Sequence, residues 1–519
     1  VAPDDPVAEA AATDAELGEL DSLERRILVY ASAMGREFDF RLLVTAMEAE
    51  EEPLVEAVER LVARGILRER AGGDRFIFTD DARRGQIYRT LTQSRLRVVH
   101  RRIAQAMEQG GVPVPAEIVA ELGRHFFLGR VPEKSYAYNL EAADRAEQDG
   151  LPEIAALHLE RARIDRSSVA GLDPGVESRL TERLGHLYYA LGDLRAASRL
   201  FSEGLEGSDP QDPRRQAGLW ISGARVARDL RDPESAVAGI RKAQTLYESI
   251  DDVAGLATVH RSLARISFDR GRYQEALEEG MLALDLLRST DDHRTLGALS
   301  IDLGNAFRRL SPELHTEAVE WYDRAIDHLL KARDDVALAE AYLERGREIS
   351  ASRPTEALED LAKSRQVAER AHDPIAAASA LLEAVLPRLL LGQTDEAERD
   401  NQLAENLLEH LDAPRALERA RLNTGFLRER RGRWEEAETA YLDAVDRAQR
   451  LQDDGALAEA QFCLARLYLK THDLPQAKAR YLEAARLRLP VVRPDLTEVF
   501  EDLGRDIEQE GAPGPETVP

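Results

Sequence analysis

Apolar and polar positions follow the helical period through most of this chain, and the pattern itself recurs. In GRWEEAETAYLDA, which begins at Gly432, Ala437, Tyr441 and Ala444 are four and three residues apart and so share one helix face. GRYQEALEEGMLA, from Gly271, places Ala276 and Ala283 in the same frame. The leading alanine returns at Ala155, Ala197, Ala236, Ala276, Ala318, Ala357, Ala397, Ala437 and Ala477, with separations of 39 to 42 residues. A small residue follows seven later: Ala162, Gly204, Ala243, Ala283, Ala325, Ser364, Ala404, Ala444 and Ala484. A larger one, such as Phe201, Tyr322 or Tyr441, usually stands between. About nine copies at a period near 40 predict an all-α solenoid of helical hairpins.

A second helix is expected before each stripe, with its own small residue twelve positions earlier, as at Gly185, Ala224, Ala264, Gly425 and Ala465. Gly150, Gly192, Gly271, Gly392 and Gly432 mark the turns inside the hairpins, where glycine tolerates a positive φ cheaply. Asp-bearing segments mark the joints between hairpins: SIDD (249–252), STDD (289–292), ARDD (332–335), AHDP (371–374), LDAP (411–414) and LQDD (451–454). An Asp there accepts from the free amides that open the next helix.

These positions resemble the tetratricopeptide repeat family, in which Gly or Ala in the first helix, Gly at the turn, and Ala, an aromatic residue and Ala in the second form the signature. The resemblance is assigned to residues 111–490. It departs from the standard unit of about 34 residues in its longer period, and it lacks the early Trp and late Pro; it is similar to the long-period members of bacterial regulators. The resemblance implies that the first helix of each pair lines a concave surface. Carried over repeat by repeat, the facing positions are Arg225 and Arg228, then Arg261 and Arg265, then Asn305, Arg308 and Arg309. A basic, Asn-containing groove follows as an expectation, holding an acidic peptide or other anionic ligand, because guanidinium forks match carboxylates and phosphates. The alternative is that these arginines pair with neighbouring Asp and Glu. Leu382, Leu386, Leu389, Leu390, Leu422 and Phe426 are expected to continue that surface as an apolar lining, some of them as core.

The first part of the chain follows a different pattern. Residues 1–20 are acidic, Ala-rich and punctuated by Pro, and read as a linker. Three amphipathic stretches, 23–34, 40–48 and 53–65, precede ILRER (66–70) and RFIFT (75–79), which flank a glycine turn. Three helices and a two-stranded wing describe a winged-helix domain, placed with the helices after it at 21–110. MGREFDFRLL (34–43), LVEAVERLVARGIL (54–67) and LRVVHRRIAQAME (96–108) resemble the winged-helix region of STAND-type signal-transduction ATPases, where a nucleotide-binding domain precedes this region and a sensor array follows. GxxxxGK[ST] occurs nowhere in the chain. Two alternatives follow: an NTPase domain precedes Val1 in a longer protein, or the motor has been lost. Asp80 stands where family members place a nucleotide-sensing His, so that role is not carried over.

Charge narrows the partners. A net charge of −26 repels nucleic acid and anionic membranes. The helix that would enter a major groove carries Glu56 and Glu59 against Arg60 and Arg64 and follows EAEEE (48–52). Arg83, Arg84, Arg89, Arg95, Arg97, Arg101 and Arg102 form a basic run that could dock on an acidic domain or on nucleic acid. A winged-helix DNA-binding transcription regulator is therefore the alternative function.

Catalysis is not expected. HExxH, GxSxG and paired CxxC motifs are missing; His125 and His186 read as hydrogen-bonded core residues, and the single cysteine, Cys463, as a small buried hydrophobe. No cofactor or metal is expected. No apolar run reaches membrane-span length and no signal peptide is visible, so a cytoplasmic location is expected. The reading is a non-catalytic protein-interaction scaffold, the sensor arm of a signal-transduction protein, with a protein or peptide partner. Residues 491–519 are expected to hold a capping helix (496–509) and a disordered tail.

Overall fold

The computed structural model describes residues 20–109, 118–173, 175–288, 290–411, 413–489 and 496–510. Of the expected linker only Leu20 is among them; Asp412 of LDAP and the expected tail beyond Glu510 also lie outside the described residues. The chain divides into two compact units, Val1–Gly239 and Ile240–Pro519.

The first unit opens with α1 (Ser22–Met34), β1 (Glu37–Asp39), α2 (Phe40–Met47), α3 (Glu51–Ala63), β2 (Leu67–Glu69) and β3 (Arg75–Phe78). A capping box starts α1: Asp21 accepts from the amides of Leu23 and Glu24, each at 2.8 Å, and its own amide donates to Glu24 at 3.0 Å. The expected hairpin between β2 and β3 is present, but the sheet has a third strand, in the antiparallel order β1-β3-β2. This part is therefore mixed rather than all-α. A three-residue strand ahead of a helix is too short to display period-two alternation, so only its pairing with β3 defines it. Phe38 stacks on Phe76 at 6.0 Å and Phe40 meets the same ring edge-on at 5.9 Å, which anchors the sheet to the helical core. Next come α4 (Asp81–Thr90) and α5 (Gln93–Gln109), both packed on α1.

Helix packing in sequence order then takes over. In the first unit α6 (Val119–Leu128) packs on α7 (Pro132–Gln148), which pairs with α8 (Pro152–Arg166); α9 (Val176–Ala190) pairs with α10 (Leu194–Glu206), and α11 (Pro213–Asp229) follows. The division between units falls within α12 (Pro233–Glu248). In the second unit α13 (Val253–Asp269) pairs with α14 (Tyr273–Leu287), α15 (His293–Leu310) with α16 (His315–Ala332), and α17 (Asp335–Ile349) with α18 (Pro354–Arg370). An interrupted helix, α19 (Pro374–Glu383) and α20 (Val385–Leu390), pairs with α21 (Thr394–Leu408). Pro387 lies in α20 and has no amide hydrogen to offer the Glu383 carbonyl, which accounts for the break. Pairs α22 (Pro414–Arg430) with α23 (Trp434–Leu451) and α24 (Asp454–Lys470) with α25 (Leu474–Arg486) complete the series, and α26 (Thr497–Glu510) packs on the last two. This is a tetratricopeptide-like helical repeat fold.

The periodic alanines are its seams. Ala155, Ala197, Ala318, Ala357, Ala397, Ala437 and Ala477 are fully buried, and four residues on stands a ring or a leucine, except after Ala397, where the buried Asn401 bonds Thr424 at 3.0 Å. The first-helix glycines face those side chains: a Cβ on Gly185 would stand 2.7 Å from the Phe201 ring, and one on Gly304 2.6 Å from Tyr322. Five of the expected joints are capped by their Asp residues, Asp252, Asp292, Asp334, Asp373 and Asp453 each accepting from the amide three residues on at 2.9–3.2 Å, and Asp212 does the same at a joint not singled out from the sequence. Most turns inside the pairs use a left-handed residue, those after α15 and α17 being exceptions. Gly271 and Gly432 supply it at φ +72°, but Arg231 and His472 occupy the same slot at φ 61° and 59°.

Candidate functional site

The seven residues expected on the facing surface fall in two units, and each group has its own setting. In the first unit α11 carries Arg225 and Arg228 one turn apart. Arg225 lies over the Tyr189 ring, 4.3 Å from its centroid, with Nη2 3.3 Å from Nδ1 of His186. Arg228 donates from Nε and Nη2 to one oxygen of Asp229, at 3.0 and 2.8 Å, while the other oxygen accepts from the Tyr189 hydroxyl at 2.6 Å. His186 is exposed here, not part of the core: its ring meets Phe201 edge-on at 5.1 Å while its Nδ1 faces Arg225.

In the second unit the first helices of successive pairs lie beside one another, and their polar faces join through ion pairs. Arg261 on α13 donates to Asp302 on α15 at 2.7 Å. Arg308 on α15 donates to Glu344 on α17 at 3.0 Å and lies 3.6 Å from Glu348. Arg347 on α17 reaches Glu383 on α19 at 3.0 Å, Arg419 on α22 reaches Glu459 on α24 at 2.9 Å, and Glu429 on α22 receives Arg466 and Lys470 at 3.0 and 2.7 Å. Burial opposes the ionisation of Glu383, but Arg347 and Arg419 outweigh it and hold the carboxyl below its ordinary range. Asn305 is enclosed in the same network, its Oδ1 accepting from the Tyr322 hydroxyl at 2.9 Å and from Arg308 at 3.2 Å. Arg309 is half-buried and engaged.

The surface is thus an alternation of guanidinium and carboxylate, not the basic groove expected from the arginines alone. Asp302, Glu344, Glu348, Glu383 and Glu459 are the members that sequence reasoning passed over. Each stands 36 to 41 residues from an arginine it meets. The repeat period would have found them; with 96 acidic residues in the chain, carboxylate content alone could not.

Two of the carried-over residues, Arg265 and Asn305, line a cavity of about 130 Å³ with Ala264, Phe268, Leu303 and Glu340. Arg265 is exposed, with Nε 4.0 Å from Asp302. Glu340 is also exposed and makes no hydrogen bond or ion pair among the described residues. The protein mass around it pushes its carboxyl above the ordinary range, Glu344 and Asp302 add to the effect, and Arg265 and Arg261 oppose it. A second cavity, of about 350 Å³, lies at the break between α19 and α20 and is lined by Leu358, Leu361, Leu381, Ala384, Arg388 and Asp400 among others. The apolar continuation is split: Leu382, Leu389 and Leu422 are core, Leu386 and Leu390 are exposed, and Phe426 lies under Arg466 at 5.0 Å.

In the first unit the surface of α3 is more acidic than its composition. Arg60 is held by Glu24 and Asp21 at 2.9 and 3.0 Å, leaving Glu51, Glu52, Glu56 and Glu59 exposed. Among the arginines of α4 and α5, Arg84 bonds Asp81 and Arg102 bonds the Tyr30 hydroxyl, while Arg89, Arg95, Arg97 and Arg101 are exposed. His125 is buried as expected, 2.8 Å from His100. Cys463 is half-buried, and burial pushes its thiol up to about 12, away from thiolate chemistry. Among the described residues no group of His, Cys, Asp and Glu could hold a metal ion, and no helix is long and apolar enough to cross a membrane.

No protein-family model matches the chain, and no curated protein does. Among solved structures it is similar to a signal transduction ATPase with numerous domains (STAND) protein with a tetratricopeptide repeat sensor from Pyrococcus horikoshii, at 13% identity over 89% of this chain and 68% of that one, with a TM-score of 0.46. It is also similar to a Rap protein complexed with competence and sporulation factor (14% identity, 65% and 94% covered, TM-score 0.49). Aspartyl phosphate phosphatase F from Bacillus subtilis is a third such structure (11% identity, 75% and 94% covered, TM-score 0.44).

Proposed function

We propose that this chain is a non-catalytic interaction module that binds a peptide or protein along the polar faces of its first helices, as the sensor arm of a signal-transduction protein. We read the helix and sheet segment before the repeats as a winged helix that joins this arm to the rest of the regulator. The observation that carries the binding reading is the state of the second-unit surface. Rigid helices hold a row of charges there, most are mutually satisfied, and Arg265 and Glu340 remain exposed beside an apolar cavity. Fixed, pre-oriented groups of that kind favour recognition because little side-chain entropy is lost on contact.

The acidic exterior of α3 weighs against a duplex as the partner. Selection of a random peptide library on the full chain, followed by anisotropy titration of the enriched sequences, tests the reading. Enriched peptides should bind saturably, and Arg265→Glu should change their affinity at least about tenfold, because it reverses a charge on the binding surface. A library that yields no saturable binder, or binders indifferent to Arg265→Glu, rejects this surface.

A further inference from the structure

Among the described residues, Glu340 of the second unit lines a cavity yet makes no hydrogen bond or ion pair. Around the α13, α15 and α17 faces the other carboxylates are engaged: Asp302 takes Arg261 at 2.7 Å, Glu344 takes Arg308 at 3.0 Å and Arg347 at 2.6 Å, and Glu348 takes His315 at 2.6 Å. Glu340 takes none of these cations, although Arg265 lines the same cavity. Its surroundings are also unfavourable to a bare carboxylate, since Glu344 and Asp302 repel it and the nearby protein thins its water. Behind it the cavity wall is apolar, with Phe268 half-buried and Leu299 and Leu303 fully buried.

We propose that this cavity receives a cationic side chain of a bound peptide, a lysine or an arginine, with its methylene stem along Phe268 and Leu303 and its charged head at Glu340. The inference rests on the interaction reading above and gives the partner a chemistry opposite in sign to the anionic ligand expected from the arginines. Shape and charge agree. A cavity of about 130 Å³ admits a single unbranched side chain and no folded element. Lysine and arginine bury such stems on apolar surface while the head stays polar. A cation at Glu340 also relieves the repulsion from Glu344 and Asp302, which an anion would add to. Arg265 is the built-in competitor: exposed, loosely held at 4.0 Å from Asp302, and displaced when the ligand head arrives.

The experiment uses the full chain and n-butylammonium, with n-butyrate as the control at matched ionic strength, followed by methyl NMR of Leu299 and Leu303. Butylammonium should shift both residues saturably and butyrate should not. Glu340→Gln should weaken butylammonium binding at least about tenfold, and Arg265→Ala should strengthen it, because one removes the counter-charge and the other its rival. Both residues are exposed, so neither change threatens folding. Binding should also weaken as pH falls through the raised range of Glu340, where the carboxyl takes a proton instead. Butyrate binding equal to or tighter than butylammonium, no response in the two leucines, or indifference to Glu340→Gln overturns the inference. Selected peptides that bind the surface without a lysine or arginine preference would leave the interaction reading standing and sink this one; butylammonium binding with an empty peptide selection would do the reverse.

Discussion

At the scale of single residues, the two kinds of glycine in this chain have opposite physical meanings. Gly185 exists for closeness: an added Cβ would lie 2.7 Å from the Phe201 ring across the seam. Gly185→Ala should therefore lower the stability of the first unit by about 1–3 kcal/mol, the usual cost of overpacking. Gly218, in mid-helix on α11, has nothing within 4 Å of an added Cβ, so Gly218→Ala should raise stability by up to about 1 kcal/mol through helix propensity. Urea unfolding of the pair checks both signs.

A second residue-scale feature is the buried histidine pair. One consistent set of tautomers runs from the Tyr88 hydroxyl to Nε2 of His100, from His100 Nδ1 to His125 Nδ1, and from His125 Nε2 toward Glu121 at 3.6 Å. Burial and then His125 push His100 down to about 3, and burial likewise lowers His125. Below the ordinary histidine range the unfolded chain takes up protons that the folded pair refuses. Stability of the first unit should thus be full near neutral pH and fall between about pH 6.5 and pH 3, by up to about 1.4 kcal/mol per histidine per pH unit. Thermal melts from pH 7.5 to pH 5 should show the decline, and replacing both histidines by Phe should flatten the dependence if the double variant folds.

At the scale of elements, the first helices of the second unit are stitched by charge as well as by packing. Glu344 joins α15 to its own helix, with 12% of its side chain exposed against 22% for Arg308. Glu344→Ala would remove the carboxylate that bridges Arg308 and Arg347, leaving them only Glu348 and Glu383 to offset their mutual repulsion. The expected cost is about 2–3 kcal/mol, below that of a fully buried pair because water still reaches these groups. Glu344→Gln should recover part of it by keeping the hydrogen bonds, and denaturant midpoints of both variants measure the difference. The break between α19 and α20 belongs to this scale too. Pro387 interrupts the hydrogen-bond ladder of a first helix, and the cavity of about 350 Å³ lies where that helix is broken.

At the scale of the whole molecule, net charge and its distribution govern which partners can approach. The chain carries −26, yet from Ala82 to Met107 there are seven arginines and no carboxylate. Four of those arginines are exposed on α4 and α5, while α3 presents glutamates. A duplex oligonucleotide should accordingly bind only at low salt and without sequence preference, and should be released at about 150 mM. An anisotropy salt series on the full chain decides this; retention of a specific sequence at physiological salt would favour the DNA-binding regulator instead. Much of the fold was legible beforehand, because a seam repeated every 40 residues is written in local spacing: the alanines, the turn glycines and the capping aspartates all lie where the period puts them. The surface was legible only in part. The facing arginines were found by transfer between repeats, but their partners were not, since the carboxylate that each one meets lies roughly one repeat away and looks locally like any solvated acid.

What the sequence by itself determined is therefore whatever depends on near neighbours along the chain: helical periodicity, where helices begin and end, and which face is small enough to be a seam. Tertiary structure alone decided the rest. It created β1 by pairing three residues with β3, turned His186 outward to Arg225, joined Arg308 to Glu344 across α15 and α17, and left Glu340 without a hydrogen bond or ion pair among the described residues. The physical reason is range. Backbone hydrogen bonds and caps act within a few residues, whereas charge pairing and desolvation depend on which distant side chains the packed helices bring within a few ångströms.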